Sequence, residues 1–242
     1  MDIIKKIQQK QENLSANAPI TIAFLGDSVT QGCFECYPKG ENDIEVIFDY
    51  KNAYSTRLRE MLNFLYPNVQ FNIINSGISG DTAKGGLARV ERDVLAFKPD
   101  LVVLSYGLND CNYGDEALST YLTSVEEIIK KVKKSGSEMI FLTQNYYNTR
   151  QSSSLAKGVL VESGVLLEKR QKDGLLKLYF DRAKEICEKY DITVCDLYAV
   201  WEKMANCGVD TTELLANKLN HPVREFHYYM AIKLLETILG VK

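Results

Sequence analysis

The sequence predicts an α/β fold built on a parallel sheet covered by helices on both faces, because short apolar runs alternate along the chain with longer amphipathic stretches. Five of the runs are too continuously apolar for a sheet with one wet face, and read as strands buried on both sides. Turn-forming residues also cluster directly after the first three runs, where an open parallel sheet gathers its functional loops.

The elements follow in order. Ile20–Leu25 is the first expected strand, and Ala53–Leu65, with apolar positions three and four apart, the first expected helix of the repeat. Val69–Ile74 is the second strand and Gly86–Ala96 its following helix; Leu101–Ser105 and Glu116–Lys134 form the third pair. Met139–Thr143, Leu175–Tyr190 and Ile192–Cys195 continue the alternation, and Val223–Leu239 closes the chain behind Pro222, which suits a first helical turn. Two connections are long for a compact domain. Residues 33–52 are expected as a loop, and 145–174 as a substrate-covering insertion with a short helix of its own, within one domain spanning 1–242.

Composition excludes several function classes. With 29 Lys and Arg against 32 Asp and Glu, and no basic run, nucleic acid is not an expected partner. The amphipathic start MDIIKKIQQKQENL lacks the apolar core of a signal peptide, and no segment reaches the roughly 18 apolar residues of a membrane span, so the expected location is cytoplasmic. The six cysteines require no disulfide framework, and Cys33-x-x-Cys36 has neither a second pair nor a nearby histidine to complete a metal set. The expected partner is a small molecule, and the oligomeric state is not readable.

The loops after the strands carry the chemistry. They read Gly26-Asp27-Ser28-Val29-Thr30, then Asn75-Ser76-Gly77-Ile78-Ser79-Gly80-Asp81-Thr82, then Tyr106-Gly107-Leu108-Asn109-Asp110. A serine hydroxyl needs a base to take its proton and donors to hold the oxyanion that forms. Gly80 lets a backbone amide approach closely, and Asn109 offers two side-chain donors. Only two histidines exist; His221 precedes a helix in a loop that can turn into a cleft, whereas His227 falls inside that helix and reads as packed.

Gly26-Asp27-Ser28, Gly80, Gly107-Leu108-Asn109-Asp110 and the late His221-Pro222 resemble, in order, the four sequence blocks of SGNH (GDSL-type) hydrolases. Asn75 to Val90 is similar to the thioesterase and lysophospholipase branch of that family, and the Asn-His-Pro ending to carbohydrate-directed esterases. The resemblance implies a three-layer flavodoxin-like fold with a five-stranded parallel sheet, and ester hydrolysis without metal or cofactor. It assigns Ser28 as nucleophile and His221 as base, with Ser28, Gly80 and Asn109 forming the oxyanion hole. Asp27 and Asp110 are expected to organise turns rather than react.

One departure is expected to matter. The family pattern has an aspartate three residues before the histidine, where this chain has Lys218, and a lysine ammonium cannot accept the imidazole N–H. The candidates for orienting His221 are a backbone carbonyl, Asn217, Asn220, Asp210 or Glu213, with a Ser-His dyad preferred; Lys218→Asp is expected to raise activity if orientation is deficient. Tyr37, Tyr106, Tyr113, Tyr146 and Tyr147 fall on the expected cleft walls and suit stacking on a sugar. The expected activity is hydrolysis of short-chain esters, including O-acetyl groups on carbohydrate. The alternatives are a lysophospholipase or thioesterase, a transferase with an alcohol acceptor, a silent acyl-ligand binder, and a flavodoxin-type carrier, the last disfavoured by the irregular stretch after Gly32.

Overall fold

The computed structural model describes residues 1–39, 43–155 and 158–241. The chain runs α1 (Asp2–Glu12), β1 (Ile20–Gly26), α2 (Ser28–Gln31), β2 (Cys33–Pro38), β3 (Ile44–Phe48), α3 (Tyr54–Leu65), β4 (Phe71–Gly77) and α4 (Ala83–Asp93). It continues through β5 (Leu101–Ser105), α5 (Leu108–Cys111), α6 (Leu118–Ser135), β6 (Glu138–Leu142), α7 (Val159–Lys172), α8 (Leu175–Lys189), β7 (Thr193–Cys195), α9 (Leu197–Asn206) and α10 (Arg224–Leu239).

The five expected strands form one sheet, ordered β4-β1-β5-β6-β7 and parallel throughout. Every residue of β5 and nearly every residue of β1 is buried, which explains their unbroken apolar composition. One helix group packs α3 and α1 against α10, and a second packs α4 and α8 against α6. The result is the three-layer α/β arrangement, with its order reversing at β1 so that the loops after β1, β4 and β5 meet at one crevice.

Three differences from the expected elements bear on function. The described residues of 33–52 are not an irregular loop: β2 and β3 pair antiparallel as a two-stranded ribbon, with a register shift between Cys33 and Cys36, and 40–42 lie outside the described residues. The ribbon escaped notice because its faces are only partly buried and its apolar residues follow no clean alternation. Within 145–174 the helix is fourteen residues long rather than short. The stretch after Ser28 is ordered too: α2 starts at Ser28 itself, capped by the Asp27 side chain accepting from the Val29 amide, and ends on Gly32 in the left-handed region. The amphipathic start forms α1, which buries Ile3 and Ile7 against the body of the protein.

Candidate active site

Ser28 sits where β1 turns into α2. The turn is tight because Gly26 carries no side chain: a Cβ there would lie 2.1 Å from Thr30 Oγ1 and 2.7 Å from the Ser105 carbonyl oxygen. Asp27 is wholly buried, and its second oxygen accepts from Gln144 Nε2 at 2.8 Å, while Gln144 Oε1 accepts the Leu108 amide at 3.0 Å. Gln144 thus ties the Ser28 turn to the loop after β5. Burial pushes the Asp27 carboxyl up to about 7, and that of Asp110, which accepts the Ala83 amide at 3.0 Å, up to about 7 as well. Both carboxyls hold backbone amides, Asp27 that of Val29 and Asp110 that of Ala83.

His221 meets Ser28 from the loop before α10. Its Nδ1 lies 3.0 Å from the Phe34 carbonyl oxygen, which can only accept, so Nδ1 carries the proton and Nε2 is left as acceptor. Nε2 lies 2.9 Å from Ser28 Oγ, the geometry in which the hydroxyl donates to a general base. Burial lowers the imidazole to about 4, against smaller upward contributions from the Phe34 carbonyl and the Glu35 charge. The ring is neutral at physiological pH.

Gly80 and Asn109 reach the same cleft. Gly80 has φ +79°, a conformation that glycine adopts without strain, and a Cβ added there would meet nothing within 4 Å. The loop carrying it is fixed by a buried guanidinium: Arg89 reaches Asp81 Oδ2 through Nε (2.8 Å), the Ser76 carbonyl (2.6 Å) and the Gly26 carbonyl (3.1 Å). Asn109 Nδ2 donates one proton to the Asp81 carbonyl at 2.9 Å and retains a second. Ser28, Gly80, Asn109 and His221 together line a cleft of about 250 Å³.

The remaining sequence candidates separate. Asn217 Oδ1 accepts the amides of Leu219, Asn220 and His221 at 2.9 to 3.0 Å, so it shapes the histidine loop and does not meet the ring. Asn220 Oδ1 accepts from Asn217 Nδ2. Asp210 and Glu213 are drawn to Arg150, at 2.8 and 2.5 Å, and Glu213 also to Lys218. The carboxylates therefore leave the imidazole to a backbone oxygen, the first of the alternatives open in the sequence. His227 is packed as expected, buried with Nδ1 accepting the Tyr54 amide.

The tyrosine expectation is corrected. Tyr106, Tyr146 and Tyr147 are buried in the core, Tyr113 opens on a separate cavity with Thr82 and Lys84, and none of the five lines the Ser28 cleft. The Tyr106 and Tyr147 hydroxyls are engaged inward, by Asp81 and the Leu108 carbonyl. The apolar wall comes instead from Ile44 and Val46 of β3 and from Leu160, Leu166 and Leu167 of α7. Phe34, Arg89 and Gln144 were missed as functional candidates; Gln144 alone had a signal, its place just beyond the carboxyl end of β6.

With Nδ1 already satisfied, Lys218→Asp is expected to leave kcat/KM within about threefold of the wild type. Lys218 is held in the left-handed region (φ +56°), its ammonium 2.8 Å from Glu213 and turned from the ring. A tenfold gain in p-nitrophenyl acetate hydrolysis would show instead that the carbonyl orients His221 poorly.

Among the described residues, no cluster of three or more His, Cys, Asp or Glu is placed to hold a metal, and no helix is long and apolar enough to cross a membrane. The profile described as GDSL-like Lipase/Acylhydrolase family matches residues 24–227. An acetylxylan esterase of Geobacillus stearothermophilus is 38% identical over 89 residues, 37% of this chain and 39% of that protein, so the chain spans well under half the length of this curated relative. Among solved structures, Axe2, an acetylxylan esterase from Geobacillus stearothermophilus, is similar with a TM-score of 0.66 at 24% identity, over 90% of this chain and 94% of that one. A two-domain esterase active on acetylated mannans, co-crystallised with mannopentaose, is similar over 99% of this chain and 54% of its own, with a TM-score of 0.66 and 20% identity. At these identities the structural likeness concerns the fold.

Proposed function

Because the chain belongs to the GDSL-like lipase/acylhydrolase family, we propose that it is a serine esterase that removes short acyl groups, O-acetyl groups on carbohydrate foremost, through a Ser28–His221 dyad. The observation that carries the reading is the 2.9 Å approach of Ser28 Oγ to His221 Nε2, with Nδ1 occupied by the Phe34 carbonyl. In this reading Oγ attacks the ester carbonyl as Nε2 takes its proton. The oxyanion is met by the amides of Ser28 and Gly80 and by the free proton of the Asn109 carboxamide. His221 then returns the proton to the departing alkoxide, leaving an acyl-Ser28 ester. Water, deprotonated by the same nitrogen, attacks that ester, and collapse of the second oxyanion frees the carboxylic acid and Ser28.

The cleft of about 250 Å³ is small beside the roughly 300 to 1,000 Å³ of most ligand sites, which favours an acetyl-sized acyl group with little more than the adjoining ring. The similarity to acetylxylan and acetyl-mannan esterases supports the same class. The apolar wall of Ile44, Val46, Leu160, Leu166 and Leu167 favours a second reading, hydrolysis of longer acyl esters or thioesters. The two separate in one experiment. Acetate release from acetylated xylo-oligosaccharides, with p-nitrophenyl ester rates falling at least tenfold from acetate to octanoate, is expected for the first. Rates that rise with chain length, with fatty acid released from lysophospholipid, would replace it by the second.

The extent of the domain also enters as part of this reading. Residues 1–242 are taken as one hydrolase domain in which 145–174 covers the cleft, a role supported by Leu160, Ser163, Leu166 and Leu167 of α7 on its wall.

A further inference from the structure

A backbone oxygen orients an imidazole only as well as the strand that carries it is held. Phe34 lies within the register shift of the β2-β3 ribbon, and a two-stranded ribbon is marginal on its own. The ribbon is gripped from the histidine's own side. Arg224, the first residue of α10, donates to both Glu35 carboxylate oxygens, Nη1 to Oε1 at 2.6 Å and Nη2 to Oε2 at 3.1 Å, and through Nε to Asp49 Oδ2 at 2.8 Å. Its guanidinium lies 4.3 Å from the Phe34 ring centroid, and the same ring meets His227 at 4.6 Å. One side chain thus holds the residue after Phe34, the residue after β3 and the Phe34 ring.

We propose that Arg224 and Glu35 are a positioning pair for His221, in which Arg224 locks the Phe34 carbonyl onto Nδ1 and the Glu35 carboxylate stabilises, through space, the imidazolium formed when Ser28 attacks. The inference rests on the Ser28–His221 reading, and neither residue touches the reacting atoms. Two carboxylates against one guanidinium leave a net negative charge on this side of the ring, the charge that a triad aspartate supplies by contact in other serine hydrolases. The other groups facing the ring are neutral or paired. From β2, the Cys36 thiol lies 3.9 Å from Nδ1 and burial raises it, so it stays protonated; from α10, burial lowers His227 to about 3; the nearby Lys218, before α10, is turned from the ring and paired with Glu213.

The sign of the pH dependence follows. Burial holds the folded imidazole near 4, below its ordinary value of 6.5, so its base form persists as pH falls and the acid limb that His221 contributes is expected near pH 4. The Arg224 guanidinium holds the Glu35 carboxyl below its ordinary value, so its charge outlasts that of an unpaired glutamate as pH falls. Glu35→Gln keeps the shape and removes the charge. It is expected to lower kcat for p-nitrophenyl acetate by roughly tenfold with KM unchanged, and to move the acid limb down by about half a unit. Glu35→Asp, which keeps the charge, is expected to retain the wild-type limb. Arg224→Lys is expected to lower kcat and to hasten solvent exchange of the His221 Nδ1–H resonance in proton NMR, because the clamp is loosened.

Wild-type kcat and limb in Glu35→Gln, or wild-type kcat and exchange in Arg224→Lys, would overturn the proposal. So would a lowered melting temperature with an unmoved limb and unmoved exchange, the pattern of a merely structural ion pair. If the wild type hydrolyses no ester, or Ser28→Ala remains active, the dyad reading fails. The NMR exchange still tests whether Arg224 positions the ring, since it requires no turnover.

Discussion

Ser28→Ala is expected to lower kcat/KM for p-nitrophenyl acetate by roughly 10⁴-fold or more while the protein remains folded. The loss is large because no second group can substitute. Ser79 and Ser163 also line the cleft, but Ser28 is the serine whose Oγ lies at hydrogen-bond distance from an imidazole. A hydroxyl without a base is almost wholly protonated at neutral pH and a poor nucleophile. The fold should tolerate the change, since alanine is a good helix former at the start of α2, and the cap is supplied by Asp27. The lost hydroxyl-imidazole bond costs about 1 kcal/mol, a few degrees in melting temperature. Steady-state kinetics, a thermal melt and intact-protein mass after a fluorophosphonate probe measure all three. Labelling and turnover surviving in Ser28→Ala, with the adduct mapped to Ser79 or Ser163, would transfer the nucleophile to that residue.

What the sequence could reveal depended on whether the information lay in a side chain at a topologically special place. Ser28, Gly80 and Asn109 were legible together because each lies in a loop just after a strand of the sheet, and the reversal of strand order at β1 makes those three loops neighbours. His221 was legible by elimination between two histidines. Phe34 was not, because any residue type offers the same carbonyl, and only the register of the β2-β3 ribbon decides which one faces Nδ1. The Arg224 clamp was hidden for a related reason: Glu35, Asp49 and Arg224 are ordinary surface charges until the ribbon folds back on α10. The tyrosines failed differently. Tyr106 follows β5 as Asn109 does, but position after a strand does not tell whether a ring turns into the core, and the inward ring satisfies both Arg89 and Asp81.

Asn109→Ala is expected to reduce kcat by roughly 10² to 10³ with KM little changed, because in the proposed reading its free amide proton meets charge that appears only in the transition state. The competing explanation is that Asn109 merely holds the Gly80 loop through its bond to the Asp81 carbonyl. That loop has independent anchors: Asp81 Oδ2 is bound by Arg89 Nε at 2.8 Å and by the Tyr106 hydroxyl at 2.9 Å, and Ser79 is held through its amide by Gln31 Oε1. Losing one neutral hydrogen bond from such a loop costs about 1 kcal/mol, too little to account for the expected loss by displacement alone. Asn109→Asp sharpens the distinction, since a carboxylate at this position fills nearly the same volume but opposes the oxyanion, and the rate should fall below that of the alanine variant. A kcat within about threefold of wild type in Asn109→Ala, with an unchanged melting temperature, would remove Asn109 from the oxyanion hole and leave the two backbone amides to hold the charge.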